Sequence, residues 1–282
     1  MPKLAFTLHT AMFFAATFLS AFLFLTSGLT AFDNSKHSRA IFEYLNRGSL
    51  IASEFNKNRL KAFETNKTKV VLIGDSYAKD VFNSVRNSEL SSDFEISTFS
   101  INKECGNLSI PPESFIDNVP KTRWLRCKII GWYQNNNLTN ILEQSDEIWL
   151  ASSWYPWVIE RLNESTLNLS TKYNKPITVF GIKSFGFTSF EVKLKDIKNK
   201  NFQASAFPTA QDVKLNALMK TQLKGVRFID LLGLFCSPPK NVCNHFHQTE
   251  LISHDGSHLT VAGSKFLGSK MAKLLRAKRN DS

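Results

Sequence analysis

Three side chains in two stretches of this sequence have the types and placement that acyl chemistry needs. The first is Ser76, which closes KVVLIGDS (Lys69–Ser76). Val70–Ile73 is a short β-branched, apolar run of the kind a fully buried strand shows, and it stops at Gly74. The run Tyr77–Leu90 behind it is helix-like, so Ser76 falls where a strand turns into a helix. Open α/β folds keep their ligands at that carboxyl end of the sheet, and the first N–H groups of a helix can stabilise an oxyanion. The other two are Asp255 and His258, three residues apart in HDGSHLTVAG (His254–Gly263), just before a C-terminal helical segment. A serine hydroxyl needs a base to become a nucleophile, and the base needs a group that orients it. Ser76, His258 and Asp255 have the chemistry for these three roles. Gly74 permits a tight turn, and Asp75 is expected to hold that turn by hydrogen bonds.

The elements that must position these groups alternate along the chain. Phe94–Phe99, Glu147–Ala151, Pro176–Ile182 and Val226–Leu231 read as further strands. Between and after them, Arg123–Tyr133, Leu138–Gln144, Val158–Leu169, Thr209–Leu223 and Leu259–Leu275 read as helices. That order implies an α/β domain with right-handed crossovers and a parallel sheet of about five strands covered by helices on both faces. Lys183–Pro208 is long, irregular and rich in Phe, Lys and Ser, which predicts a lid, a binding loop or a small insertion.

The chain has 282 residues, enough for one large domain plus an appendage. Its net charge of +11 favours polyanionic partners. No nucleic-acid-binding motif accompanies the scattered lysines and arginines, so an anionic membrane surface or an acidic glycan is the expected partner rather than DNA or RNA. Leu4–Phe32 is apolar for longer than a cleaved signal peptide, and Leu29-Thr30-Ala31 is a poor cleavage site. Residues 1–32 therefore read as a single-pass anchor. Lys3 before it and Lys36 and Arg39 after it nearly balance, leaving orientation undecided. Residues 33–68 read as a linker with amphipathic helix, and residues 69–282 as the catalytic domain.

Four cysteines fall as two local pairs, Cys105 with Cys127 and Cys236 with Cys243, without a C-x-x-C. They are either buried thiols or two disulfides, and a membrane anchor upstream favours disulfides in an oxidising compartment. Cys236, Cys243, His245, His247, His254, Asp255 and His258 crowd one stretch, but the spacing lacks the paired ligands of a zinc site. Neither a metal nor an organic cofactor is expected.

GDS at Ser76 together with the late D-x-x-H resembles the SGNH/GDSL hydrolase superfamily. The ending D-x-x-H-L-[ST]-x-x-G, met by Asp255, His258, Leu259, Thr260 and Gly263, is closer still to the SGNH domain appended to bacterial acyltransferase-3 membrane proteins. The resemblance runs from about Lys69 to the C-terminus. It implies a flavodoxin-like three-layer α/β fold, with Ser76 as nucleophile, His258 as base and Asp255 as its orienting carboxylate. It also implies an oxyanion-hole glycine after the second strand; Gly106 stands at that place, although a turn glycine beside a disulfide is the better reading of it. The superfamily's G-x-N-D asparagine is missing at Ser152-Ser153-Trp154-Tyr155. Acyltransferase-linked relatives carry a small-residue stretch ending in tryptophan there, so Ser153 and Trp154 either line the site or pack on the sheet. Related domains also carry a cysteine pair shortly before D-x-x-H, which strengthens the disulfide reading.

Residues 1–68 look like the last span and connector of such a fused protein without its acyltransferase body. By the same resemblance the chain is a bacterial inner-membrane protein whose domain faces the periplasm or cell exterior. There it transfers O-acyl, chiefly acetyl, groups to lipopolysaccharide, exopolysaccharide or peptidoglycan. A separate multi-span acyltransferase would supply the acyl group. A carbohydrate esterase and a non-catalytic glycan-binding subunit are the alternatives.

Overall fold

Alternation along the central strands decides the layering. In VVLI, Val70 and Leu72 point to one face and Val71 and Ile73 to the other, and all four are fully buried. A computed structural model describes residues 36–130, 132–237 and 242–277. The chain divides into two units, Met1–Phe42 and Glu43–Ser282; the fold is that of the second. The expected membrane anchor, 1–32, lies outside the described residues. Among the described residues no helix is long and apolar enough to cross a membrane.

In chain order the main elements are α1 (Lys36–Lys57), β1 (Thr68–Gly74), α2 (Ser76–Arg86), β2 (Phe94–Ser100), α3 (Trp124–Ile130), α4 (Asn136–Gln144) and β3 (Glu147–Ala151). They continue with α5 (Pro156–Tyr173), β4 (Ile177–Phe180), α6 (Phe190–Lys198), α7 (Ala210–Gln222), β5 (Arg227–Ile229), α8 (Leu231–Phe235) and α9 (Val261–Ala277). The five strands form one parallel sheet in the order β2-β1-β3-β4-β5. This is the expected flavodoxin-like order. The order in which strands are added reverses between β1 and β3, the switch point where such sheets bind ligands.

Each face carries its own core. Val71, Ile73, Leu150 and Val179 pack with Leu138 and Leu142 of α4 and Val158 and Leu162 of α5. Leu72, Trp149 and Phe180 pack on the other face with Ala78 and Val81 of α2 and Leu267 and Met271 of α9. Continuous apolar runs are what strands buried on both faces require.

One difference from the sequence reading lies outside the sheet. Lys183–Pro208 is not irregular throughout: Ser189 caps α6 through Val192 N–H, and Phe190 and Lys193 of that helix are buried. The stretch that reads as a linker with amphipathic helix groups with the domain from Glu43 on. Phe55 is buried against Phe82, ring centroids 5.9 Å apart, and its carbonyl accepts from Thr98 Oγ1 at 2.6 Å. Thr98 N–H then donates to Asn58 O, and Leu60 N–H to Thr98 O, so residues 58–60 cover the free edge of β2. Phe55→Ala is expected to cost about 3–5 kcal/mol of unfolding free energy in a urea titration. A change below about 1 kcal/mol would mean that the segment only lies on the surface.

Candidate active site

Close packing of two strand ends makes the turn that presents Ser76. A Cβ on Gly74 would lie 1.7 Å from the Ala151 carbonyl oxygen, so only glycine lets β1 end this near β3. Asp75 then caps α2: Oδ1 accepts from Tyr77 N–H at 2.9 Å, and Oδ2 accepts from Ser153 N–H at 2.8 Å across the switch point. Burial pushes the Asp75 carboxyl above its ordinary value, against the pull of those two N–H groups. Ser76 opens the helix, where main-chain N–H groups have no intrahelical acceptor.

The loop between Ser253 and Leu259 brings the other two residues to this turn. His258 Nε2 lies 2.9 Å from Ser76 Oγ, and His258 Nδ1 lies 2.7 Å from Asp255 Oδ2. Asp255 Oδ1 accepts from the N–H groups of Ser257 and His258 at 2.9 and 2.7 Å. Burial by itself would raise this carboxyl, but the His258 ring and the two N–H groups hold it well below the usual carboxylate range. A hydroxyl, an imidazole and an ionised carboxylate in this order can pass a proton from oxygen to nitrogen while the imidazolium stays paired. The rest of the motif holds the loop to α9. Thr260 Oγ1 accepts from Gly263 N–H at 2.9 Å, and a Cβ on Gly263 would meet the Ile252 carbonyl at 2.0 Å.

Two buried lysines brace the loop, and neither stood out in the sequence. Lys183, just past β4, has no exposed side-chain surface and places Nζ 2.6 Å from Asp80 Oδ2. The same ammonium donates to the Ser257 carbonyl and sits 4.1 Å from the centre of the Tyr77 ring. Lys193 of α6, only 1% exposed, donates to the Ser253 carbonyl at 3.0 Å. Between them Phe185 N–H donates to Gly256 O at 2.7 Å. The beginning of the expected lid is therefore the bed on which Asp255 and His258 rest.

The oxyanion candidates have other partners. Gly106 N–H donates to Lys103 O at 3.2 Å, and the glycine, with φ of 69°, packs so closely on Trp157 that a Cβ would lie 2.5 Å from that ring. Trp154 is buried and its indole N–H donates to Phe180 O at 2.8 Å; Ser153 N–H is taken by Asp75. Asn107, which sequence reasoning missed, is 2% exposed. Its amide donates to Ile73 O and Ser152 Oγ, both at 3.1 Å, and Tyr133 OH donates to its carbonyl oxygen at 2.6 Å. It joins the ends of β1 and β3 directly behind the turn. Its only sequence signal was an asparagine next to the glycine already singled out.

Cys105 is bonded to Cys127 and Cys236 to Cys243. The second bridge consumes both thiols of the histidine-rich stretch, and no cluster of three or more metal-ligating side chains exists among the described residues. A cavity of about 430 Å³ opens beside Ser76. A larger one of about 580 Å³, lined by Trp132, Tyr133 and Leu167, includes none of the three residues; geometry of reacting groups, not size, identifies the site.

Both lysines give expected outcomes. Removing one partner of a buried ion pair strands the other charge, so Lys183→Met should lose about 3–5 kcal/mol in urea unfolding. Burial lowers Lys193 from the ordinary 10.5 to about 8. Between those values the unfolded chain holds a proton that the folded chain has released, so stability rises with pH across that window. The gain is absent below pH 8, where the folded state carries the buried cation too. Relative to Lys193→Met, wild type should gain at most about 1.4 kcal/mol per pH unit there, and equal slopes would refute the assignment.

A solved structure shares the fold. The periplasmic domain of a lipopolysaccharide acetyltransferase from Salmonella ser. Paratyphi A is similar at 17% identity and a TM-score of 0.56, with 87% of this chain and 98% of that one covered. A proposed acylhydrolase from Bacteroides fragilis NCTC 9343 gives 13% identity and a TM-score of 0.41 over 80% of this chain and 96% of that one. No curated protein matches the chain. Residues 50–273, most of the chain, match the family described as the SGNH domain fused to AT3 domains. With its elbow, loop and sheet arranged as above, the chain belongs to that SGNH family.

Proposed function

We propose that the chain is a membrane-anchored, extracytoplasmic serine O-acyltransferase that acts, with acetyl as the main group, on a cell-envelope glycan. The observation that carries the reading is the unbroken contact Ser76–His258–Asp255, at 2.9 and 2.7 Å. Ser76 Oγ attacks the donor's ester carbonyl while His258 Nε2 takes its proton. The tetrahedral oxyanion forms at the N-terminus of α2, where Ser76 N–H is the donor nearest the new bond. Collapse expels the donor alcohol, which leaves with the proton returned by His258. A sugar hydroxyl then gives its proton to His258 and attacks the acyl-serine, which restores Ser76. Asp255 fixes the ring tautomer and stays ionised beside the imidazolium.

Family membership supports acyl chemistry next to a membrane acyltransferase domain, which would supply the acyl donor across the bilayer. Two disulfides fit an oxidising, extracytoplasmic compartment such as the periplasm. The likeness to a lipopolysaccharide acetyltransferase domain supports a lipopolysaccharide-like acceptor. Hydrolysis is the second reading, favoured by the cavity that leaves Ser76 open to water; the same acyl-enzyme then yields a free acid, and the protein is a carbohydrate esterase.

The test is p-nitrophenyl acetate turnover by the full chain in nonionic detergent, with and without an envelope oligosaccharide. Ser76→Ala is expected to lower kcat by roughly 10³-fold or more. Acetylated oligosaccharide as product supports the transferase, and free acetate alone supports the esterase. Equal rates for wild type and Ser76→Ala would reject both and leave a non-catalytic glycan-binding subunit.

A further inference from the structure

We propose that the acceptor glycan is anionic, and that its phosphoryl or carboxylate groups seat in a cationic groove beside Ser76. The inference rests on reading Ser76 as the nucleophile of a glycan-modifying site. The groove is the cavity of about 430 Å³, and its walls include Ser76, Lys79, Lys103, Glu104, Arg123 and Arg126. Four cationic side chains thus face two carboxylates, Glu104 and Asp75. Glu104 is bound to Arg123 at 2.6 Å. Asp75 accepts from Tyr77 and Ser153 N–H groups and attracts Lys103 without forming a close ion pair with it. The cations still outnumber the carboxylates two to one. Like charges gathered round a cavity raise the local concentration of anions and repel cations.

The groove is built, rather than being a chance cluster on a basic surface. Lys103 and Glu104 sit on a short turn that ends at Cys105, while Arg123 and Arg126 lie just before Cys127, so the Cys105–Cys127 bridge staples the two walls together. The Arg123–Glu104 ion pair crosses between the same two segments. Without the staple, mutual repulsion of the cations would part them. Lys103 is further oriented over the Tyr155 ring, 5.7 Å from its centre. Lys79 lies on the Ser76 face of α2, three residues on.

None of this lining comes from the Ser253–Leu259 loop. The acid–base machinery holds one side of Ser76 and the cations the other, so an acceptor bound through its anions would present a neighbouring hydroxyl toward the serine.

The experiment measures binding, by calorimetry, to the full-length Ser76→Ala chain in nonionic detergent. The probes are an oligogalacturonide, a phosphorylated mannan oligosaccharide and an uncharged malto-oligosaccharide of matched length. Both anionic sugars, or the one of the correct chemistry, should bind at least about tenfold more tightly than the neutral one at low salt, with the advantage shrinking as salt screens it. Whichever binds more tightly identifies carboxylate or phosphate as the recognised group. Lys103→Glu/Arg126→Glu should abolish the preference. Lys195→Glu/Lys198→Glu, an equal charge change at exposed positions of α6, should keep it.

Equal affinity for charged and neutral sugars, absence of anion binding, or equal loss in both double variants would overturn the proposal, the last by tracing binding to net charge. The readout needs no turnover. Selective binding combined with Ser76-independent esterase activity would reject the catalytic reading and leave the groove standing.

Discussion

Lys183 holds its ammonium group wholly out of solvent, 2.6 Å from Asp80 and against the Ser257 carbonyl and the face of Tyr77. Asp80 is one helical turn beyond Ser76 on the same side of α2, and Ser257 lies between Asp255 and His258. The lysine therefore joins the helix that starts at Ser76 to the loop that carries its base. Stripping water from two ions costs several kcal/mol each, and only close, well-directed partners recover it. A small slide of the loop along α2 would pull the Ser257 carbonyl off the ammonium and leave the charge short of a partner. Apolar side chains of equal volume would fill the space, but dispersion contacts tolerate such sliding. The ion pair converts a packing contact into a fixed distance, and the 2.9 Å contact between Ser76 and His258 depends on that distance.

A second set of buried polar groups fixes the turn from the sheet side. Asp75 binds Ser153 N–H, while Asn107 binds both Ile73 O and Ser152 Oγ, so the last residues of β1 and β3 are tied across the switch point. Strand ends run out of ladder partners there, and their polar groups would otherwise be buried without hydrogen bonds. Side chains that supply those bonds serve the fold and the site at once. Asp75 holds Ser153 N–H and the Lys103 carbonyl holds Gly106 N–H, so under the proposed mechanism an oxyanion would rest on the first turn of α2.

What could be read from the sequence was what is local in it. Val70–Ile73 and Glu147–Ala151 announced central strands because burial on both faces demands unbroken apolar runs. Asp255 and His258 announced themselves because a three-residue spacing before a helix carries their chemistry. The braces were hidden for the opposite reason. Lys183 meets Asp80 across 103 positions and Lys193 meets Ser253 across 60, and in a stretch rich in Phe, Lys and Ser any one lysine looks like a solvated one. Lys193 also breaks the apolar stripe of α6, so the helix read as loop. Phe55 is one apolar residue in the stretch that reads as a linker with amphipathic helix, and nothing local tells that its partner is Phe82 of the domain core.

The two sides of Ser76 are stiffened by different physics, and the difference bears on what each side can do. On the His258 side, buried charges and main-chain hydrogen bonds hold the loop, and these form in any compartment. On the other side, short turns with few ladder bonds depend on the Cys105–Cys127 bridge, whose sulfurs are buried in the core and which persists only where the surroundings are oxidising. The Ser76–His258–Asp255 contact is thus independent of redox state, whereas the cationic wall is not. Under the proposed mechanism an acyl-serine would survive only until a hydroxyl reached it. Whether that hydroxyl belonged to a sugar or to water would be decided by what fills the groove when the ester forms, and a stapled cationic wall would give an acidic sugar the better claim.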